Sequence, residues 1–166
     1  MLRTIFGSYS GLNVPINKNS KVIDIGCGFG NDLVPFLDIG ASVYGVELDE
    51  AICNITKKIL KKKFPSKKIY IKVGHNRSIP FKKNFFDLVM TNTLHYESNL
   101  ENINNALGEY SRIIKKNKFF YITTTGNKSD FFKKTKKISN HVYKINDKKD
   151  KIRFGKNFFF FENEKF

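Results

Sequence analysis

One nine-residue stretch, Val22 to Gly30, constrains the fold of this chain more than any other. It reads VIDIGCGFG, an apolar run that contains Asp24 and then gives way to alternating glycines. These glycines are Gly26, Gly28 and Gly30. Because glycine lacks a Cβ, such a turn can adopt left-handed backbone angles and let a ligand approach bare main chain. A buried strand, a glycine turn and a following helix are typical of a nucleotide-type binding site.

Strand and helix signals alternate along the chain from this stretch to about residue 126. Strands are predicted over 22–26, 42–48, 68–73, 86–91 and 119–124. Helices are predicted over 31–39, after Asp49, and over 100–115, with Asn31 or Asp32 capping the first helix and Asp49 the second. This alternation predicts an α/β fold whose parallel strands are joined by right-handed crossovers.

Hydrophobic periodicity predicts which face of each helix is buried. The expected inward residues are Leu33, Phe36, Leu37 and Ile39 in the first helix, Ile52, Ile55, Ile59 and Leu60 in the second, and Leu100, Ile103, Leu107, Tyr110, Ile113 and Ile114 in the third.

The 166 residues form one domain with two less regular ends. Residues 1–20 are expected to be an irregular lead-in, 21–126 the binding core, and 127–166 a Lys-rich segment with little chance of further strands. The fifth strand would then lie at a sheet edge, where we expect self-association unless the tail covers it.

The composition restricts partners and compartment. The formal charge is +15, which suggests polyanion partners, yet 26 of the 30 basic residues are Lys and four are Arg. Nucleic-acid sites favour Arg for bidentate contacts, so nucleic acid is a lesser alternative. The two cysteines lack the spacing of metal ligands and suggest free thiols. The sequence has no apolar run long enough to indicate a secretory signal or a membrane span. A cytoplasmic protein without a metal is expected.

A carboxylate ends the second predicted strand, at a spacing from the glycines that is typical of nucleotide-binding folds. Glu47 lies 21 residues after Gly26, and in doubly wound sheets such a residue accepts both hydroxyls of a ribose. Ligands of these folds bind at the carboxyl ends of the strands. The site should therefore gather the glycine turn, Glu47, the loop at His75–Asn76 and the segment Thr91–Asn92.

Four ordered motifs resemble those of class I S-adenosylmethionine-dependent methyltransferases, over roughly residues 20–125. They are VIDIGCGFG, VYGVELD, IPFKKNFFDLVMTNTLHY and RIIKKNKFFYIT. The resemblance implies a Rossmann-like, doubly wound parallel sheet with strand order 3-2-1-4-5, S-adenosylmethionine as cofactor, and a small-molecule methyl acceptor. The family usually continues to a sixth and a seventh strand, which this chain is expected to lack.

The resemblance also implies residue roles. The implied cofactor-binding residues are Asp24, Gly26, Cys27, Gly28, Glu47, Leu48, His75, Asn76, Thr91 and Asn92. Glu47 would hold the ribose, Leu48 would pack on the adenine, and Asp24 would orient the methionine part. The family often places Asp where this chain has His75, so either Asn76 substitutes for it or the adenine is held by packing.

His95 and Tyr96 follow the fourth strand and are the candidates for a base, should the acceptor need to lose a proton. Three alternatives stay open besides a small-molecule methyltransferase. The chain could be a non-catalytic or truncated cofactor- or partner-binding domain, a nucleic-acid methyltransferase, or a nicotinamide-dependent Rossmann enzyme. The last would need a third glycine where Asn31 stands.

Overall fold

The computed structural model describes residues 14–126, 128–130, 132–151, 153 and 155–161. The strands are β1 (Lys21–Ile25), β2 (Ser42–Glu47), β3 (Ile69–Val73), β4 (Phe86–Thr91), β5 (Ile114–Ile122), β6 (Thr135–Ser139), β7 (Val142–Ile145) and β8 (Asn157–Phe159). The helices are α1 (Val34–Asp38), α2 (Glu50–Lys63) and α3 (Leu100–Ile113). Short 3-10 turns cover Asn31–Leu33, Leu94–Tyr96 and Phe132–Lys134. Of the irregular lead-in expected over 1–20, residues 1–13 lie outside the described part of the chain.

A five-stranded parallel sheet in the order β3-β2-β1-β4-β5 forms the centre of the molecule. This confirms the predicted Rossmann-like strand order. Successive β1 side chains point to opposite faces of the sheet: Val22 joins one buried cluster, whereas Ile23 and Ile25 join another. The apolar run of β1 is therefore continuous because both faces of the sheet are covered.

The first helix differs from its prediction over 31–39. A 3-10 turn precedes α1, and Gly30, in the left-handed region, stands at the N-cap of that turn without a side-chain cap. The predicted capping by Asn31 or Asp32 is therefore wrong. Pro35 lies at the start of α1, where its missing N–H is tolerated. Ile39, expected inside, is exposed because the helix ends before it.

The buried faces of the two longer helices match the prediction in part. Leu60 of α2 and Ile103, Tyr110 and Ile113 of α3 are buried as expected, whereas other predicted residues are not. In α2 the buried residues are Cys53, Thr56 and Leu60, whereas Ile55 and Ile59 are exposed. The Thr56 hydroxyl donates to the Gly28 carbonyl at 2.7 Å and thereby holds this side of α2 against the glycine turn. The predicted Asp49 cap is confirmed, since its carboxylate accepts from the Ile52 N–H at 3.0 Å.

In α3 the buried residues are Ile103, Ala106, Tyr110 and Ile113. Leu100 and Leu107, both expected inside, are exposed. The Tyr110 hydroxyl donates to Asn76 Oδ1 at 2.8 Å and thereby sets the helix rotation.

Strand β5 begins earlier than predicted and lies at the edge of the sheet. It starts at Ile114 instead of Phe119, directly after α3, and its register with β4 shifts between Phe86 and Leu88. The side chains of Phe119 and Phe120 are partly exposed at this edge. Self-association through the edge stays a prediction.

The Lys-rich segment forms a second sheet, contrary to the expectation of little further strand structure. Strands β6, β7 and β8 pair antiparallel in that order. Val142 and Phe159 contribute to the central core, whereas Ile145 and Phe158 belong to a smaller apolar cluster. The pattern is hard to detect because the strands have only three to five residues and because β6 and β7 carry exposed lysines.

Phe158 joins this second sheet to the segment after β4. Its ring lies 5.5 Å from that of His95 and 4.5 Å from that of Tyr96, between ring centroids, and only 1% of the residue is exposed. The second sheet is thus packed against the region predicted to carry the candidate bases.

We expect Phe158→Ala to lower the free energy of unfolding by about 3–5 kcal/mol, because it removes a buried aromatic ring and leaves a cavity. Urea unfolding measures the change. Ile138→Ala in strand β6 of the same sheet is the matched control, because Ile138 is exposed and its loss should cost about 0.5 kcal/mol or less. Equal effects of the two substitutions would contradict the packing role of Phe158.

Candidate functional site

A cleft of about 780 Å³ lies at the carboxyl ends of strands β1, β2 and β3 and is bordered by the segment that follows β4. Six of the predicted site residues line it: Gly26, Glu47, Leu48, His75, Asn76 and Tyr96. These residues come from four separate segments of the chain, as expected for the carboxyl edge of a parallel sheet.

The other predicted residues lie outside the cleft lining. Asp24, Cys27, Thr91 and His95 are buried, Asn92 is exposed, and Gly28 belongs to the glycine turn beside the cleft.

Sequence reasoning missed several lining residues. Arg77, Thr93 and Glu97 each lie one or two residues from a predicted position, so a wider window around the motifs would have found them. Lys144 and Asn157 come from the second sheet, and Lys156 directly precedes its strand β8. No motif marked these three, because the second sheet itself was not predicted.

The glycine turn is held by main-chain hydrogen bonds and by its left-handed backbone. The N–H groups of Gly26 and Cys27 both donate to the Val46 carbonyl, at 2.8 and 3.0 Å. At Gly26, with φ of 77°, a Cβ would overlap the Thr93 side chain. At Gly28, with φ of 50°, a Cβ would meet nothing within 4 Å. The backbone at Gly28 therefore faces open space that a ligand can enter.

The Glu47 carboxylate is oriented by three backbone N–H groups. Oε2 accepts from Gly28 at 2.9 Å, while Oε1 accepts from Leu48 at 2.8 Å and from Asp49 at 3.1 Å. A carboxylate has about four acceptor positions, so capacity for a hydroxyl donor remains. Beside it, Leu48 is 70% exposed in the cleft wall and offers an apolar surface for a flat ring.

Asn76 joins the loop after β3 to the segment after β4. Its amide nitrogen donates to the Thr93 carbonyl at 3.2 Å and to Glu97 Oε1 at 3.1 Å. Its oxygen accepts from the Thr93 hydroxyl at 3.0 Å and from the Tyr110 hydroxyl at 2.8 Å. Both amide protons are engaged within the protein, so the geometry supports a positioning role for Asn76.

Thr91 and Thr93 extend this network to the glycine turn. Both hydroxyls lie within hydrogen-bond distance of the Ile25 carbonyl, at 3.0 and 3.2 Å, and they lie 2.9 Å from each other. Thr91 is fully buried and acts on the site through Thr93.

Burial shifts the ionisation of two groups near the turn. Desolvation, with the charges of Asp32 and Glu47, raises the pKa of Asp24 to about 8. Burial also raises the pKa of the Cys27 thiol, and Asp24 and Glu47 raise it further. Cys27 is therefore a neutral packing thiol, and Asp24 is a buried carboxyl whose charge a bound cation would stabilise.

The two candidate bases differ in access to the cleft. His95 is buried, its Nδ1 lacks a hydrogen-bond partner among the described residues, and desolvation with the charge of Arg153 lowers its pKa to about 4. Tyr96 lines the cleft and is 43% exposed, and desolvation raises its pKa. At neutral pH the imidazole is thus uncharged and the phenol is protonated.

The residues present fit S-adenosylmethionine. Open backbone at Gly28, a fixed carboxylate at Glu47 and the exposed Leu48 match a ribose and an adenine, and Asp24 suits a nearby cation. Among the described residues, no group of three or more His, Cys, Asp or Glu side chains could hold a metal ion. In the same part of the chain, every helix is too short or too polar to cross a membrane. Fold and site together define a doubly wound, nucleotide-type binding domain.

Comparison with known proteins identifies the family. A family model described as "Methyltransferase domain" matches residues 22–117. The chain belongs to this family, the class I S-adenosylmethionine-dependent methyltransferases, and S-adenosylmethionine is the family's cofactor.

Individual relatives are more distant. A ubiquinone biosynthesis O-methyltransferase of Pelagibacter ubique is 31% identical over 110 residues, which cover 64% of this chain and 42% of that protein. An uncharacterized protein of Haemophilus influenzae is 24% identical over 106 residues, which again cover 42% of its length. The chain thus spans about two fifths of these relatives.

Solved structures share the fold. A Pyrococcus horikoshii protein has a TM-score of 0.68 at 20% identity, covering 87% of this chain and 68% of its own. A geranyl diphosphate methyltransferase in complex with S-adenosylmethionine has a TM-score of 0.60 at 20% identity, covering 66% of this chain and 44% of its own.

We expect Asp24→Asn to raise the free energy of unfolding at pH 7 by on the order of 2–4 kcal/mol. The raised pKa of Asp24 means that its charged form is unfavourable in the folded state. The free energy of unfolding of the wild-type protein therefore falls as pH rises from about 4 through 8. Urea unfolding of both proteins across that range measures the difference.

Subtracting the pH profile of one protein from that of the other leaves the contribution of Asp24. The lowered pKa of His95 gives an opposite pH trend, but it acts on both proteins and cancels in the difference. A difference that does not change with pH would contradict the raised pKa of Asp24.

Proposed function

We propose that this chain is an S-adenosylmethionine-dependent methyltransferase domain that transfers a methyl group to a small-molecule acceptor in the cleft. The observation that carries the proposal is the meeting of the Gly26–Gly28 turn with the Glu47 carboxylate at the wall of one cleft. Family membership supports the same activity.

In this proposal each part of the cofactor has a matching group in the protein. Gly26 and Gly28 let the main chain approach the methionine part, Glu47 accepts from the ribose hydroxyls, and Leu48 packs on the adenine. Asp24 supplies negative charge beneath the turn when a cation binds nearby. When bound, the cofactor supplies a methyl group on a positively charged sulfur.

Cleft size and enclosure support a small acceptor. The volume of about 780 Å³ lies within the range of about 300–1,000 Å³ for small-molecule sites. The second sheet provides part of the wall, so the cleft is bounded on a side that the central sheet alone would leave open. The Pelagibacter relative, named as an O-methyltransferase of ubiquinone biosynthesis, supports a small-molecule acceptor as well.

Tyr96 is the better placed of the two candidate bases. We assign to it contact with the acceptor, because its side chain lines the cleft and its protonated hydroxyl can donate a hydrogen bond. His95 supports Tyr96 from the interior, with ring centroids 4.6 Å apart. In this assignment the domain promotes transfer mainly by positioning the acceptor and excluding water.

Calorimetric titration with S-adenosylmethionine, S-adenosylhomocysteine and a nicotinamide dinucleotide tests the proposal. Micromolar binding of the first two alone is the expected result. Preference for the dinucleotide would favour a nicotinamide-dependent enzyme. Cofactor binding without methyl transfer across a broad panel of acceptors would favour a non-catalytic binding domain.

We expect Glu47→Gln to weaken binding of S-adenosylhomocysteine by roughly 10- to 150-fold. Hydrogen bonds to a charged group contribute about 1.5–3 kcal/mol, which corresponds to that change in dissociation constant. Calorimetry gives the two constants, and circular dichroism checks that the variant is folded.

The matched control is Glu50→Gln, at an exposed position in the first turn of α2 outside the cleft lining. It removes the same charge and should leave the affinity within about twofold. Equal losses in both variants would refute the assignment of the ribose to Glu47.

A further inference from the structure

We infer that the methyl acceptor carries a carboxylate or phosphate group, which the ammonium groups of Lys144 and Lys156 bind. This inference rests on the proposed methyltransferase function and specifies its substrate class. Both lysines line the same cleft as Gly26 and Glu47, but Lys144 lies in β7 of the second sheet and Lys156 directly precedes β8. The cofactor side and the lysine side of the cleft are therefore built by different parts of the fold.

The second sheet fixes where these lysines stand. Lys144 is opposite Asn157 in the β7–β8 pair, and the Ile145 N–H donates to the Lys156 carbonyl at 3.0 Å. Because side chains alternate along a strand, Lys144 shares a face with Val142, which is buried in the central core. Lys144 is itself exposed, so along this face the strand passes from the buried Val142 to a side chain that borders the cleft.

The carboxylates of the cleft are already engaged elsewhere. Glu47 accepts from three backbone N–H groups, and Glu97 pairs with Arg77 at 3.2 Å and accepts from Asn76. The guanidinium of Arg77 is thereby paired. Among the described residues, neither cleft carboxylate forms an ion pair with Lys144 or Lys156.

Other charges around the second sheet form pairs that leave these two lysines out. Lys134 pairs with Asp147, and Arg153 pairs with Asp150. Within the residues that the structure describes, no ion pair involves Lys144 or Lys156. Lys136 stands opposite Lys144 in β6 and adds further positive charge. The cleft thus holds two cations that an anionic ligand would balance.

Concave placement distinguishes this pair from the many surface lysines of the chain. The second-sheet side of the cleft carries positive charge, and the walls of a cleft focus such a field on a small ion inside it. Asn157 adds an amide that can donate to an oxyanion beside the lysines. Since the bound cofactor is also positive at sulfur, the site favours an anionic acceptor over a neutral or cationic one.

The test uses protein saturated with S-adenosylhomocysteine and three probes of similar size: benzoate, phenyl phosphate and benzamide. Calorimetry should show that the anions bind at least about tenfold more tightly than the neutral amide, as expected when charged hydrogen bonds form. The comparison of benzoate with phenyl phosphate shows which anion the site prefers.

The double variant Lys144→Gln/Lys156→Gln should weaken anion binding by about tenfold or more and leave S-adenosylhomocysteine binding unchanged. The double variant Lys144→Arg/Lys156→Arg should keep the preference for anions, because it keeps both charges. The matched control Lys61→Gln/Lys62→Gln removes the same charge from an exposed face of α2 and should keep the anion affinity.

Four results would overturn the inference. These are equal affinity for benzamide, equal loss in the control variant, loss of S-adenosylhomocysteine binding in the Lys144/Lys156 double variant, and binding of a single-stranded RNA in place of the small anions. Failure of the wild-type chain to bind S-adenosylhomocysteine would overturn the proposed function together with the inference. Cofactor binding without anion preference overturns the inference alone.

Discussion

The close contact between the Gly26 backbone and the Thr93 side chain is the constraint on which the cleft depends. It requires glycine at position 26, since a Cβ there would overlap the Thr93 methyl group. Thr93 in turn is held by Asn76 and Thr91, so the turn after β1, the loop after β3 and the segment after β4 form one unit. A hydrogen-bond network of this kind is rigid because each partner would be left unsatisfied if another moved. The cleft is consequently preformed.

The backbone of the turn also arranges the electrostatics of the site. Glu47 is fixed as a hydrogen-bond acceptor by three N–H groups, one of them from Gly28. Asp24, inside β1, is buried near the charges of Asp32 and Glu47, and its pKa is raised to about 8. One carboxylate is thus available to neutral hydroxyls, whereas the other becomes charged when a cation offsets its burial. These different roles of Glu47 and Asp24 suit a cofactor that carries ribose hydroxyls and also a positively charged sulfur.

The second sheet changes the character of the cleft. It closes one side of the cleft with Lys144, Lys156 and Asn157, and it is packed against the central domain through Phe158 and Phe159. The central sheet alone would present the carboxylates Glu47 and Glu97. With the second sheet in place, the cleft combines a wall suited to the cofactor with a wall that carries lysines, and in our proposal the choice of acceptor depends on the latter.

The sequence by itself determined the alternation of strands and helices and the places of Gly26 and Glu47 at strand ends, because these depend on local turns. The strand order 3-2-1-4-5 and the place of Leu48 in the site followed from the resemblance of the motifs to a known family. Periodicity placed Leu60 and Tyr110 on buried helix faces, but the tertiary structure decided that Ile55 and Leu100 are exposed and that Thr56 is buried, because contacts such as the hydrogen bond of Thr56 to the Gly28 carbonyl arise only in the fold. It also decided that His95 is enclosed and Tyr96 is open to the cleft, although they are neighbours in the chain. Lys144 and Lys156 could not be found from sequence, because short Lys-rich strands carry no motif and their place beside the cleft arises only from packing over long sequence distances.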